Sequence, residues 1–339
     1  MNYSLNSVGR SILRKLCGVQ VLATGSYVPD RIVENEELAS LGCDADWILQ
    51  RTGIRQRRHA PPGMATSDMA LEAARRCIQR AGVSTSDIDL VIVGTFTPDV
   101  LVPSTACLIQ DRLNLCAAAF DLQSACAGFM YALVTGMQFV ATGNSRLALV
   151  IGADTNSRIV DREDVKIYPL FGDGAGAVLL AKGAENQGLL AYALGADGSG
   201  ADLLYRPMGG SRIPPSIQAM QERLHVLRMD GRAVFKWAIR VLEESILSVL
   251  DQAGLKMDEL DLVVLHQANI RIIDAAADLL HIDRKKLFVN LDRYGNTSAG
   301  SVPLALDEAV DQGLVHRGSR ILLSGYGAGL AWGTAILQW

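Results

Sequence analysis

The chain has 339 residues, 49% of them apolar and 20% charged, with ten prolines. That is the composition of an ordinary globular enzyme, and the length is too great for one hydrophobic core, so two domains or two fused halves are expected. A net charge of −4 leaves no chain-wide electrostatic footprint for nucleic acid, no apolar run approaches the roughly 20 residues that span a bilayer, and six scattered cysteines without a C-x-x-C pair fit reduced thiols of a cytosol rather than zinc ligands or a disulfide scaffold.

Met1 to Lys15 carries Arg10, Arg14 and Lys15 and no acidic residue. It lacks the apolar core and cleavage site of a secretory signal. Residues 1–17 read as an N-terminal extension. Beyond it the sequence repeats itself. Ala81-Gly82 and then Asp89-Leu-Val-Ile-Val93 recur as Ala253-Gly254 and Asp261-Leu-Val-Val-Leu265, both at an offset of 172. The same offset links Ala127-Gly128 to Ala299-Gly300, and Gly172-Asp-Gly-Ala-Gly176 is echoed by Gly325-Tyr-Gly-Ala-Gly329. Two similar α/β halves follow, 18–185 and 186–339. In each an amphipathic helix ends at Ala-Gly and feeds a buried β-branched strand. Leu147–Gly152, Ala177–Ala181 and Arg320–Leu323 add strands, and strands alternating with helices imply sheets covered on both faces. Gly172–Gly176 precedes a strand and opens no helix, so it reads as a tight turn with close backbone packing, not a dinucleotide site.

Three segments bear chemistry. In Leu122-Gln-Ser-Ala-Cys126-Ala-Gly128, Cys126 precedes a stretch to Val140 that is apolar nearly all round, a buried central helix. At such a helix start the free N–H groups and the dipole are expected to lower the thiol pKa. His266 follows the strand Leu260–Leu265, where α/β folds place functional groups. Asn296 lies in Arg293-Tyr-Gly-Asn296-Thr-Ser-Ala-Gly300. Taken singly, each has a plain structural reading: a core cysteine, a satisfied histidine, a turn asparagine. Together they supply a nucleophile and neutral donors or a proton acceptor. The duplication aligns Cys126 with Ser298 and brings both helix starts to one crevice.

At these residues the sequence resembles the β-ketoacyl-acyl-carrier-protein synthase III family, the initiating condensing enzymes of type II fatty-acid synthesis. The markers are Thr24-Gly-Ser-Tyr-Val-Pro29, Asp46-Trp-Ile-Leu-Gln-Arg-Thr-Gly-Ile-Arg55, Ala125-Cys-Ala-Gly128, Phe171-Gly-Asp-Gly-Ala-Gly176, His266-Gln-Ala-Asn-Ile-Arg271, Gly295-Asn-Thr-Ser-Ala299 and Gly325-Tyr-Gly-Ala-Gly329. The resemblance implies a thiolase-like α/β fold, two duplicated halves with mixed sheets and buried central helices in αβαβα layers. It implies Cys126 as the acylated nucleophile, and His266 and Asn296 as stabilisers of the enolate formed when malonyl thioester loses CO₂. The backbone N–H groups of Cys126 and Ala328 become an oxyanion hole. Trp47 and Arg51 hold the adenine end of CoA, Gly231 and Asn269 line the pantetheine tunnel, and Arg271 faces CoA phosphate or the carrier-protein mouth. Lys236, Arg240 and Arg271 are candidates for docking an acidic acyl carrier protein.

The partners so implied are acyl-CoA, malonyl-acyl carrier protein and a second copy of the chain, in the cytoplasm, with no metal, redox cofactor, nucleic acid or membrane. Val165, beside Lys166, stands where an arginine is common, and Tyr326 where phenylalanine is usual. The segment 206–227 looks long and is a candidate to reshape the entrance, and Leu101-Val102 lies where a partner subunit caps the acyl pocket. Other readings are a condensing enzyme of polyketide, quinolone or long-chain hydrocarbon synthesis, and a scaffold that only binds acyl-CoA or carrier protein.

Overall fold

The computed structural model describes residues 11–42 and 44–339. Residues 1–10, with most of the basic N-terminal stretch, and Cys43 lie outside the described residues. The first half contributes β1 (Ser11–Cys17), β2 (Val19–Tyr27), α1 (Ala45–Thr52), α2 (Thr66–Ala81), β3 (Leu90–Gly94), β4 (Ala118–Leu122), α3 (Gly128–Ala141), β5 (Leu147–Thr155) and β6 (Asp173–Lys182). The second contributes β7 (Gly188–Ala196), α4 (Gly231–Ala253), β8 (Leu262–Leu265), α5 (Ile270–Leu279), β9 (Leu287–Phe288), α6 (Ser301–Asp311), β10 (Arg320–Gly327) and β11 (Ala331–Gln338).

The strands form a five-stranded sheet, β2-β6-β5-β3-β4, and a six-stranded sheet, β1-β7-β11-β10-β8-β9. Apart from β1 the two orders are the same. In each, two parallel pairings lie at one end and two antiparallel pairings at the other. The residue alternation explains the layers. Leu90 and Ile92 of β3 and Leu262 and Val264 of β8 point into one shared core with Phe129, Met130, Leu133, Val302, Ala305 and Leu306. Val91 and Val93 instead pack under α2, and Val263 and Leu265 under α4 and α5. The helices α3 and α6 therefore lie between the sheets, which is why α3 is apolar nearly all round. The result is the αβαβα layering of the thiolase-like fold.

Three details differ from the sequence reading. Residues 11–17 are not an extension. They form β1, paired antiparallel with β7, and Leu16 joins the central core. Gly172–Gly176 is no turn, because Asp173 already begins β6. A Cβ at Gly172 would come within 2.1 Å of Tyr294 O, and one at Gly176 within 2.6 Å of Leu304 N, so the glycines admit the second half against the strand. The equivalence of the helix starts is shifted by one residue. The turns Ala125–Ala127 and Ser298–Gly300 enter α3 and α6, with Ala125 and Ser298 at positive φ (45° and 51°). Cys126 thus corresponds to Ala299, not Ser298, and the echo between Gly172–Gly176 and Gly325–Gly329 joins a strand start to a strand end. No helix among the described residues is long and apolar enough to cross a membrane.

Candidate active site

The two helix-entry turns meet at the carboxyl ends of the parallel strands. A Cβ at Gly94 would meet Gly128 at 2.7 Å, and one at Gly152 would meet Ala299 O at 2.2 Å, so bare backbone lets both turns press onto β3 and β5. Asp154, at the end of β5, ties the Ser298–Gly300 turn to the loop that follows β3. Its Oδ1 accepts from Thr95 Oγ1, Phe96 N, and Thr97 N and Oγ1, while Oδ2 accepts from Ala299 N at 3.0 Å. Burial pushes this carboxyl up to about 7 despite those donors.

Cys126, in the turn before α3, opens onto a cavity of about 750 Å³. His266 and Asn296 line the same cavity, and all three are buried. Burial pushes the Cys126 thiol up to about 12, opposed by the Ser298 side chain and reinforced by Asp154. This corrects the expectation of a thiol lowered by the helix start. Desolvation in the cavity acts against the dipole, whose effect reaches ~2 kcal/mol in favourable buried geometry.

His266 follows β8 directly. Its Nδ1 lies 2.6 Å from Ser301 Oγ, at the start of α6. Burial lowers its pKa to about 3, so the ring is neutral at working pH. Asn296 is held on both sides: its N–H donates to Leu170 O at 2.8 Å and its carbonyl accepts from Gly172 N at 3.0 Å. Its Oδ1 accepts from Ser298 N at 2.9 Å, which leaves the amide NH₂ as the group offered to the cavity. Asn156 braces this turn, accepting from Ser298 Oγ and donating to Gly172 O. Gly327 passes so close that a Cβ there would lie 3.2 Å from Cys126 Sγ. The N–H groups of Cys126 and Ala328 donate to no other group among the described residues.

The cavity runs from Cys126 to an outer rim that includes Trp47, Arg51, Gly231, Asn269, Arg271 and Lys236. The Arg51 guanidinium lies 5.0 Å over the Trp47 ring, and Asn269 caps α5 while its amide donates to Arg51 O at 3.2 Å. Val165 and Lys166 also line the cavity, together with Arg232. Arg240 does not. It is half-buried on α4, with Nε unpaired among the described residues. Although Lys236 and Arg240 share a helix four residues apart, only Lys236 reaches the rim. No residue of 206–227 lines the cavity. Ser301, Asn156 and Asp154 escaped the sequence reading, since none sits in a recognisable spacing relative to Cys126 or His266.

Residues 120–198 match the family model for 3-oxoacyl-[acyl-carrier-protein] synthase III, and residues 250–339 match that for its C-terminal part. The β-ketoacyl-[acyl-carrier-protein] synthase III of Rhodopirellula baltica is 56% identical over 342 residues, covering 96% of this chain and 99% of that protein. The crystal structure of the synthase III from Thermus thermophilus has a TM-score of 0.88 at 42% identity, covering 94% of this chain and 98% of that one. The priming β-ketosynthase of the R1128 polyketide biosynthetic pathway has a TM-score of 0.88 at 36% identity, covering 96% and 97%.

Proposed function

This chain belongs to the 3-oxoacyl-[acyl-carrier-protein] synthase III family, and from that premise we propose how its cavity performs the decarboxylative condensation that initiates fatty-acid synthesis. Cys126 Sγ attacks the carbonyl of a short acyl-CoA. A C–S bond forms to Cys126, the C–S bond to CoA breaks, and the thiol proton leaves with CoA as its free thiol. The Cys126 and Ala328 N–H groups meet the oxyanion of that step.

Malonyl-acyl carrier protein then enters. Its carboxylate leaves as CO₂, and the electron pair moves onto the thioester oxygen as an enolate. With Ser301 Oγ as the donor to His266 Nδ1, the neutral ring carries its proton on Nε2, and this N–H and the Asn296 amide hold the developing charge. The enolate carbon attacks the acyl group, the C–S bond to Cys126 breaks, and the thiolate takes up one proton. The product is 3-oxoacyl-acyl carrier protein.

Trp47 and Arg51 receive the CoA adenine, Gly231 and Asn269 line the pantetheine path, and Arg271 and Lys236 face the acidic carrier protein. The reading calls for no metal or redox cofactor: the CoA thioester and the carrier's phosphopantetheine are substrates. Leu101 and Val102, 80% and 84% exposed, offer apolar surface for a second copy, so the proposed working form is a cytoplasmic homodimer.

The observation that supports this reading most is the meeting of Cys126, His266 and Asn296 in one cavity that extends to Trp47 and Arg51. The higher identity to the R. baltica enzyme than to the polyketide priming enzyme favours primary fatty-acid synthesis. Intact-mass analysis after incubation with mixed acyl-CoAs tests it. A short acyl group on Cys126, discharged by malonyl-acyl carrier protein with CO₂ release, is expected. An unmodified Cys126, or an acyl-enzyme that releases no CO₂, contradicts it.

A further inference from the structure

Asn156, just past the end of β5, lies outside the cavity yet holds the segment that carries Asn296. It is 0% exposed. Its side-chain NH₂ donates to Gly172 O at 2.7 Å and to Asn296 O at 3.3 Å, and its Oδ1 accepts from Ser298 Oγ at 2.9 Å. The two carbonyls can only accept, so the amide has one orientation: nitrogen toward them, oxygen toward the hydroxyl. One buried side chain thus joins the end of β5, the approach to β6 and the turn into α6.

The Asn296 backbone crosses between the halves as a single bridge, donating to Leu170 O and accepting from Gly172 N. Its side-chain Oδ1 accepts from Ser298 N, and Ser298 sits at φ 51°, where a residue with a Cβ is strained unless its surroundings hold it. Asn156 meets both parts of this arrangement. It grips the carbonyl of Asn296, and it grips the hydroxyl of Ser298, whose N–H sets which way the Asn296 amide faces. We propose that Asn156 is a positioning residue for decarboxylation, keeping the Asn296 NH₂ aimed at the malonyl thioester oxygen. The inference rests on the functional reading above. A donor stabilises a developing oxyanion only when it is already in place, so a loosened Asn296 loses turnover rather than substrate binding. The Ser298 side chain also borders the Cys126 thiol, but its hydroxyl hydrogen is committed to Asn156.

Asn156→Leu keeps the volume and removes all three bonds. Labelled CO₂ release from malonyl-acyl carrier protein should fall about tenfold, less than the roughly 10²–10³ for losing an oxyanion donor outright. KM for that substrate and the rate of Cys126 acylation should each stay within about twofold. In an Asn296→Ala background the same substitution should cost less than about twofold, since no amide remains to be aimed; a merely structural role would repeat its loss there. Ser298→Ala keeps the backbone N–H to Asn296 and removes one bond to Asn156, so it should lower CO₂ release about threefold and supplies the reading if Asn156→Leu does not fold. CO₂ release within twofold of wild type in Asn156→Leu, or unchanged in Ser298→Ala where Asn156→Leu does not fold, overturns the proposal. So does an equal fall in acylation, or a further tenfold loss in the Asn296→Ala background. A wild-type protein that forms acyl-Cys126 but never condenses overturns the functional reading, and this inference with it.

Discussion

Raising the pH separates two accounts of the Cys126 thiol. A helix start stabilises a neighbouring negative charge by up to ~2 kcal/mol, roughly 1.5 pKa units at 1.36 kcal/mol each. Burial acts in the opposite direction, raising the thiol to about 12. At pH 7 the thiolate fraction is then about one in 10⁵, and it grows tenfold with each pH unit. The thiolate is the attacking species, so alkylation of Cys126 by iodoacetamide should rise about a thousandfold from pH 7 to pH 10 without a plateau. Peptide mass analysis under pseudo-first-order conditions reads the rate, with exposed Cys116 as the reference for reagent access. Near neutral pH, Cys116 should label first. A Cys126 rate that levels off between pH 6 and pH 8 would refute the reasoning and restore the helix start as the dominant influence.

Gly327→Ala should cut acylation at least tenfold, because its Cβ would lie 2.9 Å from Cys126 Cβ and 3.1 Å from Cys126 N, and urea denaturation should show a loss of ~1–3 kcal/mol from overpacking. Trp47→Ala should raise KM for acyl-CoA several-fold and spare malonyl-acyl carrier protein, which has no adenine; steady-state kinetics with each substrate varied in turn checks it.

The sequence made the scaffold legible where local rules agree with burial. The helices closed by Gly82 and Gly254 and the β-branched runs after them stand where expected, because a left-handed cap and an all-apolar strand each carry a local signature. The duplication was visible as a repeat. Its one-residue slip between Cys126 and Ser298 was not, since the echoed Ala-Gly pairs mask where each half actually turns. The strand at 11–17 was missed because its partner, β7, is far along the chain and no apolar run marks an edge strand with Arg14 and Lys15 in it. Cys126, His266 and Asn296 could be named from short motifs. Their supports could not: Ser301 reaches His266, and Asn156 reaches Ser298, only through the packing of α6 on β5 and β8. The state of the thiol was misread because desolvation depends on how completely the two halves close over it.

The proposed function divides the labour, with Cys126 for acyl transfer and His266 with Asn296 for decarboxylation. It is tested most directly by measuring both half-reactions in His266→Ala, Asn296→Ala and the double variant, with intact-mass kinetics for acylation and labelled CO₂ release for decarboxylation. Each single variant should keep measurable acylation of Cys126 and lose about 10²–10³ in condensation, the usual cost of removing a donor to a developing oxyanion. The double variant should be little worse, because both donors serve one charge. If His266→Ala stops acylation as completely as condensation, His266 is instead the base that takes the Cys126 proton, and the account is contradicted.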